Sequence, residues 1–233
     1  MCGRFTLKST PQQLAETFDL AELPADLGPR YNIAPSLEIL AVPNEPVRKA
    51  ELFRWGLVPR WAADPSIGNR LVNARIESVT QKPAFREAAR LRRCLVLADG
   101  FYEWRTSSQG KTPFHFHLPS EKPFGLAGLW ETWTPRGTPP GQAAQLHTCC
   151  LLTTAAQGVV APVHDRMPIL VAPEHIARWL DPRPLAPEEL LEVLDASAAL
   201  ALQATQVSRY VNVATHEGPQ CIEPAMSTGF LPM

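Results

Sequence analysis

The chain has 233 residues, of which 45% are hydrophobic, so it can bury the core of one domain or at most two small ones. It contains no run of about eighteen apolar residues and no N-terminal region typical of a signal peptide, so we expect a cytoplasmic protein with no membrane partner. Its 22 Lys and Arg residues against 23 Asp and Glu residues give a net charge of −1, so DNA binding would need a local basic patch.

The first predicted element is a short helix. Thr10 is the expected N-cap, Pro11 suits the first helical position, and Gln13 completes a capping box. The helix should run to about Phe18. Further helices, each opened by a proline and carrying apolar residues at helical spacing, are predicted over residues 83–90, 173–180 and 187–194.

Short apolar runs separated by prolines, of which the chain has 24, indicate β-strands. These runs are residues 37–42, 94–98, 114–118, 124–130 and 148–153. Residues 134–145 are rich in Pro, Gly, Thr and Gln and predict an exposed loop between strands rather than an interdomain linker. The expected fold is a single α+β domain over residues 1–233, dominated by strands, with an irregular or frayed tail from about residue 217.

Charge is distributed unevenly along the chain. Residues 174–200 are acidic, whereas the first half is rich in arginine and is the expected basic face. Any one of these arginines, taken alone, is better explained as an ordinary solvated surface residue. They are Arg4, Arg54, Arg60, Arg70, Arg75, Arg86, Arg90, Arg92 and Arg93.

Cys2 is the most informative of the five cysteines, which lack the pattern of an extracellular disulfide framework and should be reduced. Removal of Met1 would leave Cys2 as an N-terminal 1,2-aminothiol. Its α-amine has an ordinary pKa of about 7.7 to 8.0 and its thiol one of about 8.5, so both act as nucleophiles near neutral pH. The amine condenses with an aldehyde to an imine, which the thiol can close to a thiazolidine. From the Met-Cys dipeptide alone, a tolerated small residue is an equal explanation.

Histidines and cysteines at strand spacing raise the question of a metal site. His115 and His117 would share one face of a strand, but a solvated sheet face explains them better than a metal pair. Cys149 and Cys150 would point to opposite faces and do not form a chelating pair. We therefore expect no metal site and no cofactor.

Six short motifs follow the N-terminal Met-Cys-Gly-Arg-Phe in order. They are YNIAP at 31–35, WGLVP at 55–59, NARIE at 73–77, GFYEW at 100–104, AGLWE at 127–131 and HDRMP at 164–168. Each is weak alone, but in this order they are specific. From Cys2 to about Asn212 the chain resembles the SRAP family, named for SOS-response-associated peptidases and known for crosslinking to abasic-site DNA. The resemblance implies a barrel-like core of mostly antiparallel strands with several short helices.

The resemblance also implies the chemistry. Cys2 would become the N-terminus and bond to C1′ of the ring-opened abasic sugar in single-stranded DNA, giving a thiazolidine crosslink that shields the lesion. Glu103 would move protons, and Asn73 would orient the open sugar. His164 would assist crosslink formation or reversal, and strand cleavage by β-elimination. Without the family pattern, Glu103 is better explained as an edge-strand residue paired with an arginine.

The same resemblance implies DNA contacts. Arg4 and Arg75 would hold flanking phosphates, because guanidinium–phosphate contacts position a strand without reading its sequence. Trp61 would stack on or wedge against a neighbouring base, with core packing as an equal alternative. The family often has a second aromatic residue directly after this tryptophan, whereas this chain has Ala62, which argues against a wedge and a preference for duplex junctions. The remaining expected contacts are Asn32, Pro35, Thr153 and Arg166.

The family name further implies a peptidase, and the economical interpretation is that the four catalytic residues remove Met1 from their own precursor. One alternative is an N-terminal-nucleophile hydrolase that acts through Cys2 on an amide or ester without DNA. Another is a noncatalytic module that binds DNA or a modified base, for which Cys2 would be dispensable. We expect a monomer with no obligatory protein partner, associated with the nucleoid when bound to DNA.

Overall fold

A computed structural model describes residues 2–108, 110–137, 144–195 and 201–225 of the chain. Within these residues, the helices are α1 (Pro11–Phe18), α2 (Arg86–Leu91), α3 (Ile176–Trp179) and α4 (Pro187–Asp195). The strands are β1 (Phe5–Leu7), β2 (Arg30–Ile33), β3 (Glu38–Pro43), β4 (Glu51–Trp55), β5 (Asn73–Arg75), β6 (Arg93–Ala98), β7 (Gly100–Ser107), β8 (Gly110–His117), β9 (Phe124–Trp133), β10 (Leu146–Ala155), β11 (Arg166–Pro168), β12 (Leu170–Val171) and β13 (Gln203–Gln206).

The N-terminal helix α1 begins and ends where its caps predict. The Thr10 hydroxyl accepts a hydrogen bond from the backbone nitrogen of Gln13 at 3.2 Å, and the Gln13 side chain accepts one from the backbone nitrogen of Thr10 at 2.9 Å. The helix ends at Asp19, which has a left-handed φ of 52°. Leu14 and Phe18 join the main hydrophobic core. The predicted capping box and helix bounds are confirmed.

The other three predicted helices are confirmed in kind, with shifted bounds. α2 begins later than expected because a tight turn precedes it, in which the Phe85 N–H donates to the Lys82 carbonyl at 2.9 Å. Over residues 173–180 the chain starts as a 3-10 helix, Pro173–His175, and only α3 is α-helical. No helix among the described residues is long and apolar enough to span a membrane.

Five strands close into a barrel. β10 pairs with β4, and the ring continues through β3, β6 and β9 back to β10. The β10–β4 pairing is parallel and the other four are antiparallel. β5 and β11 pair with the second half of β10, and β12 pairs with β9. The five apolar runs correspond to β3, β6, β8, β9 and β10, which confirms the α+β, strand-dominated fold with a barrel-like core.

A second sheet lies against the barrel. Its strand order is β13-β8-β7-β1-β2, and all neighbours are antiparallel. Phe5 in β1 packs edge-on against Trp55 at the end of β4, with ring centroids 5.2 Å apart, and both side chains are fully buried. Because this contact joins the sheet to the barrel, the residues that precede β1 lie at the junction between them.

Two arginines expected on a basic face are internal. Arg93 is fully buried, and its guanidinium donates to the carbonyl oxygens of Arg90 at 2.7 Å and Trp179 at 3.0 Å. Arg92 is also buried and pairs with Glu131 at 2.6 Å. Since these side chains stabilise the interior, the expectation that they lie on a basic face is wrong.

The chain after residue 217 is ordered as far as it is described. A 3-10 helix, Pro219–Cys221, buries Cys221, and Pro224 forms an antiparallel bridge with Val207. These residues therefore pack against the second sheet and are not frayed, while residues 226–233 lie outside the described residues. The predicted loop over residues 134–145 does connect β9 to β10, although its residues 138–143 also lie outside the described part of the chain.

Candidate active site

Cys2 lies just before β1, at the junction of the sheet and the barrel, with its side chain fully buried. Its Sγ donates to the carbonyl oxygen of Arg4 at 3.8 Å. Burial raises the pKa of the Cys2 thiol well above its usual range, and the nearby Glu103 carboxylate adds to the shift. The thiol is therefore protonated near neutral pH and needs a base before it can act as a nucleophile.

Strand pairing brings Glu103 beside Cys2. β1 and β7 are antiparallel with Phe5 opposite Phe101, so the same register continues with Gly3 opposite Glu103. The Glu103 side chain is only 3% exposed, and burial raises its pKa to about 7. A carboxyl group with this pKa can take up and return a proton near neutral pH.

Asn73 ties Cys2 to the barrel. It opens β5, which pairs in parallel with β10 through Asn73 and Leu151. Its Nδ2 donates to the carbonyl oxygen of Cys2 at 2.7 Å. Its Oδ1 is buried and has no hydrogen-bond partner among the described residues. Because a buried acceptor without a donor is costly, Oδ1 is a candidate contact for a donor group of a bound ligand.

His164 approaches Glu103 from the segment before β11. Its Nε2 lies 3.8 Å from the Glu103 Oε2. Its Nδ1 lies 3.0 Å from the backbone nitrogen of Arg166 and 2.9 Å from a carboxylate oxygen of Asp165. Burial lowers the pKa of the imidazole, and the Asp165 charge opposes this shift.

The imidazole of His164 supports two proton arrangements. In the neutral ring, the Arg166 N–H donates to Nδ1, which leaves the ring proton on Nε2, the nitrogen that faces Glu103. In the protonated ring, Nδ1–H donates to Asp165 instead. The protonated ring can therefore give its Nε2 proton to the Glu103 carboxylate while its Nδ1–H stays on Asp165.

The four residues predicted to be catalytic come from separate segments, namely the N-terminus, β5, β7 and the turn before β11. The structure brings them near one another: Asn73 hydrogen-bonds to Cys2, the Glu103 charge raises the pKa of the Cys2 thiol, and His164 lies 3.8 Å from Glu103. A thiol, a carboxyl group, an imidazole and an amide thus lie in one region of the protein. These groups are the components of nucleophilic and general acid–base catalysis.

The two arginines expected to contact DNA from the barrel side differ in whether other residues of the protein already bind them. Arg75 is exposed at the end of β5. Arg166 instead forms a bidentate ion pair with Glu77, at 2.6 and 3.0 Å, and donates to the Thr153 carbonyl at 2.7 Å. Thr153 is fully buried. We therefore assign Thr153 a supporting role for Arg166 instead of the expected direct DNA contact.

Arg4 and Asn32 form hydrogen bonds with other residues of the protein. Arg4 donates to the Asn32 Oδ1 at 2.6 Å and to the Val211 carbonyl at 2.9 Å. Asn32 is 2% exposed, and its amide nitrogen donates to the carbonyl oxygens of Val213 at 3.0 Å and His216 at 2.8 Å. Its polar atoms are thus occupied, and its role is structural rather than the expected DNA contact. Arg4 is partly exposed.

Trp61 is not part of the core. It is 51% exposed, which excludes the core-packing alternative. Ala62 is buried, and its carbonyl oxygen accepts a hydrogen bond from the Trp133 indole at 2.9 Å. This position therefore presents no second aromatic surface. Pro35 is partly exposed in the turn between β2 and β3. Trp61 and Pro35 therefore both have surface exposed to solvent.

His115 and His117 share one face of β8, as their spacing predicts, and their rings stack with centroids 5.3 Å apart. The expected solvated face is nevertheless wrong for His115, which is buried because it packs against Tyr102 at 4.9 Å. Burial lowers the pKa of His115 to about 3. Within the described ranges, no group of three His, Cys, Asp or Glu side chains is placed to hold a metal ion.

Two acidic residues of the site were not predicted. Glu77 orients Arg166, and Asp165 faces the imidazole of His164. Both stand inside the motifs that carry the resemblance, as the last residue of NARIE and the second of HDRMP. Their positions inside these motifs are the feature of the sequence that could have indicated a role at the site.

A cavity among the described residues lies away from Cys2. It has a volume of about 530 Å³ and lies beside α4, where it is lined by residues of α4, β11 and β12. Its lining contains no cysteine, histidine or lysine. Because the nucleophile and its possible bases converge at Cys2, we place the candidate active site there.

Comparison with known proteins agrees with the resemblance. The sequence profile of the family described as SOS response associated peptidase (SRAP) matches residues 1–214. The chain is 40% identical over 216 residues to the abasic site processing protein YoaM of Bacillus subtilis, covering 91% of this chain and 93% of that protein. It is 39% identical over 228 residues to the abasic site processing protein YoqW of Bacillus subtilis, covering 96% of this chain and 99% of that protein.

A solved structure supports the fold. The crystal structure of a protein from Bacteroides thetaiotaomicron aligns with a TM-score of 0.83 at 20% identity, covering 97% of this chain and 100% of that one. The family match extends over most of the chain and includes every motif described above. The chain therefore belongs to the SRAP family.

Proposed function

We propose that this protein processes abasic sites in single-stranded DNA by forming a covalent thiazolidine crosslink through Cys2. The observation that carries the proposal is the proximity of Asn73, Cys2, Glu103 and His164, which come from four separate segments of the chain. The relatives named abasic site processing proteins support an abasic site as the substrate. An N-terminal cysteine supplies the amine and the thiol that close a ring on an aldehyde.

Removal of Met1 is the first proposed step, because its peptide bond makes the Cys2 nitrogen an amide that cannot form an imine. The Glu103 carboxylate takes the proton of the Cys2 thiol, and the sulfur adds to the Met1 carbonyl carbon. The proton passes to the Cys2 nitrogen as the C–N bond breaks, leaving a thioester. Water then hydrolyses the thioester, so one peptide bond and one water yield methionine and a free Cys2 amine.

Crosslink formation then uses both groups of Cys2. The closed sugar opens when the C1′ hydroxyl loses a proton and O4′ gains one, and Glu103, with a pKa of about 7, suits both transfers. The amine adds to C1′, and loss of water gives an imine. The thiol adds across this bond, so that sulfur bonds to C1′ and its proton ends on nitrogen. The product keeps every atom of both reactants except one water molecule.

Asn73 and His164 position the adduct and exchange protons with it. The Asn73 Oδ1 accepts a hydrogen bond from a sugar hydroxyl or from the Cys2 nitrogen. Because 3.8 Å is too long for a direct hydrogen bond, His164 exchanges protons with Glu103 through one water molecule or after the two side chains move closer. In the reverse direction the same groups reopen the ring. Removal of a C2′ proton from the imine breaks the C3′–O bond by β-elimination, which is the proposed lyase activity.

A local basic patch supports DNA as the partner despite the net charge of −1. Each of the four catalytic residues is followed two positions later by an arginine. Asn73 with Arg75 in β5, and Glu103 with Arg105 in β7, share one face of their strand. We propose that some of these arginines contact the phosphates next to the lesion. The candidates are Arg4, Arg75 and Arg105, because Glu77 and Thr153 already hold the Arg166 guanidinium. The proposed reaction needs one protein copy, one DNA strand and no cofactor.

The test mixes the protein with a single-stranded oligonucleotide that carries one abasic site and separates covalent products on a denaturing gel. Matched oligonucleotides carry an intact base or a tetrahydrofuran, which has no aldehyde. We expect a product with the aldehyde oligonucleotide alone, and none with Cys2→Ala. If protein with a free Cys2 forms no product, crosslinking is excluded, and turnover of a small amide or ester would favour the N-terminal-nucleophile hydrolase.

A further inference from the structure

A stacked pair of rings lies on the surface near Cys2. Tyr210, in the 3-10 helix Arg209–Asn212, and His216 face each other with ring centroids 4.0 Å apart and planes inclined by 22°. Tyr210 is 38% exposed. Among the exposed large apolar side chains of the described residues, Trp61 is the other aromatic one. Tyr210 is thus exposed to solvent and His216 partly exposed.

Buried polar contacts hold this pair in place. Asn32 donates to the carbonyl oxygens of Val213 at 3.0 Å and His216 at 2.8 Å, which closes the 210–216 loop on itself. The His216 Nδ1 lies 2.8 Å from the carbonyl oxygen of Tyr210. The stacked arrangement is therefore fixed before any ligand binds, which lowers the entropy cost of binding.

The 210–216 loop is attached to the strands that carry the site. Arg4, two residues after Cys2, donates to the carbonyl oxygen of Val211 at 2.9 Å. Trp104, which follows Glu103, donates its indole N–H to the Asn212 Oδ1 at 2.7 Å. The loop is thus anchored to the nearest neighbours of both Cys2 and Glu103. Asn32 lies in the YNIAP motif and Asn212 at the end of the region that resembles the family. Both stabilise the 210–216 loop and do not reach the reacting groups.

We propose that Tyr210 and His216 form a stacking platform for the base next to the abasic sugar. The inference rests on the proposed function, because it assumes that an abasic sugar reaches Cys2. A missing base leaves its neighbour without a stacking partner on one face, and an aromatic ring can replace that partner whatever the base is. The exposed Arg209 beside Tyr210 offers a cation for the adjoining phosphate.

The test measures noncovalent affinity by fluorescence anisotropy, so that it does not depend on crosslinking. The probe is a single-stranded oligonucleotide with tetrahydrofuran at the lesion and normal bases on both sides. Two further probes lack the base on the 5′ or the 3′ side of the lesion, also through tetrahydrofuran. We compare wild-type protein with Tyr210→Ala, with Tyr210→Phe, which keeps the ring, and with Val47→Ala, an exposed apolar control elsewhere on the surface.

We expect wild-type protein to lose about tenfold in affinity when one of the two flanking bases is removed, and little when the other is removed. Tyr210→Ala should bind the complete probe about tenfold more weakly and no longer respond to that base, whereas Tyr210→Phe should behave like wild type. Equal affinity of Tyr210→Ala and wild type for all three probes, with unchanged melting temperatures, would overturn the platform.

Failure of the platform and failure of crosslinking are distinguishable. If the wild type crosslinks an aldehyde oligonucleotide but Tyr210→Ala binds all probes equally well, the proposed function stands and the platform does not. If the affinities behave as expected but no covalent product forms, the platform stands and the crosslinking proposal fails.

Discussion

The Asn73 amide nitrogen donates to the carbonyl oxygen of Cys2 at 2.7 Å, which joins the first described residue of the chain to a strand of the barrel edge. An N-terminal residue held only by its own strand would fray. This contact fixes the backbone of Cys2, while the buried Oδ1 of the same amide has no donor among the described residues. One side chain therefore positions the nucleophile and offers an acceptor beside it.

Asn73→Ala should lower the rate of crosslink formation about tenfold to a hundredfold, because Cys2 loses the contact that orients it. Asn73→Asp keeps the size and an acceptor but loses the donor, so it should show a comparable defect. Initial rates with an abasic oligonucleotide provide the measurement, and circular dichroism confirms folding. Rates of folded Asn73→Ala equal to the wild-type rate would show that this hydrogen bond does not position the reacting groups.

The crosslinking rate should depend on the ionisation of Glu103. Its pKa is raised to about 7, so the carboxylate that accepts protons becomes the major form only above that pH. We expect the rate to rise with pH up to about 7 and then level off. Glu103→Gln should reduce the rate by about a hundredfold or more and remove this inflection. A Glu103→Gln profile that keeps the inflection would assign it to another group.

Asp165→Asn should lower the pKa of His164 below its value in the wild type. The Asp165 charge raises the pKa of this imidazole, so its removal makes the protonated ring less favourable. The titration of the His164 ring protons followed by NMR gives the midpoint directly, and Asp165→Glu serves as the charge-conserving control. A midpoint that is unchanged or higher in Asp165→Asn contradicts the proposed exchange of Nδ1 partners.

Gly100→Ala should destabilise the second sheet. A Cβ at this position would lie 2.0 Å from the Nε2 of the buried His115 and 2.9 Å from the Thr6 Oγ1. We expect the free energy of unfolding to fall by about 1 to 3 kcal/mol. Gly28→Ala is the matched control, because its Cβ would have nothing within 4 Å. Denaturant unfolding compares the two, and equal stabilities would contradict the tight packing at Gly100.

Local signals in the sequence predict most of the secondary structure. The capping box at Thr10 fixes the start of α1 because the reciprocal hydrogen bonds involve residues only three positions apart. The apolar runs similarly mark four of the five barrel strands, β3, β6, β9 and β10, and also β8 of the second sheet, whereas no run marks the barrel strand β4. Bounds are less well predicted where a turn precedes a helix, as before Arg86, because no capping side chain marks the first residue there.

The sequence does not reveal which polar side chains are buried by residues that are distant along the chain. Arg93 and the solvated arginines are the same residue type, and only the carbonyl oxygens around Trp179 and Arg183 make an internal position favourable. His115 is buried by neighbouring strands in the same way. The ordered motifs did indicate which residues meet at the site, although their spacing gave no distances. The closeness of Cys2 and Asn73 becomes apparent only when the positions of β1 and β5 in the folded protein are known.

The central claim is that both the amine and the thiol of Cys2 bond to the abasic sugar. Intact mass spectrometry after reaction with an abasic oligonucleotide, with and without borohydride, tests it for the wild type and Cys2→Ser. We predict a wild-type adduct that lacks Met1, has lost one water, and survives denaturation without reduction, whereas Cys2→Ser whose Met1 has been removed with an aminopeptidase gives an adduct only after borohydride traps the imine. An unreduced Cys2→Ser adduct of equal yield, or a wild-type adduct that retains Met1, would contradict the claim.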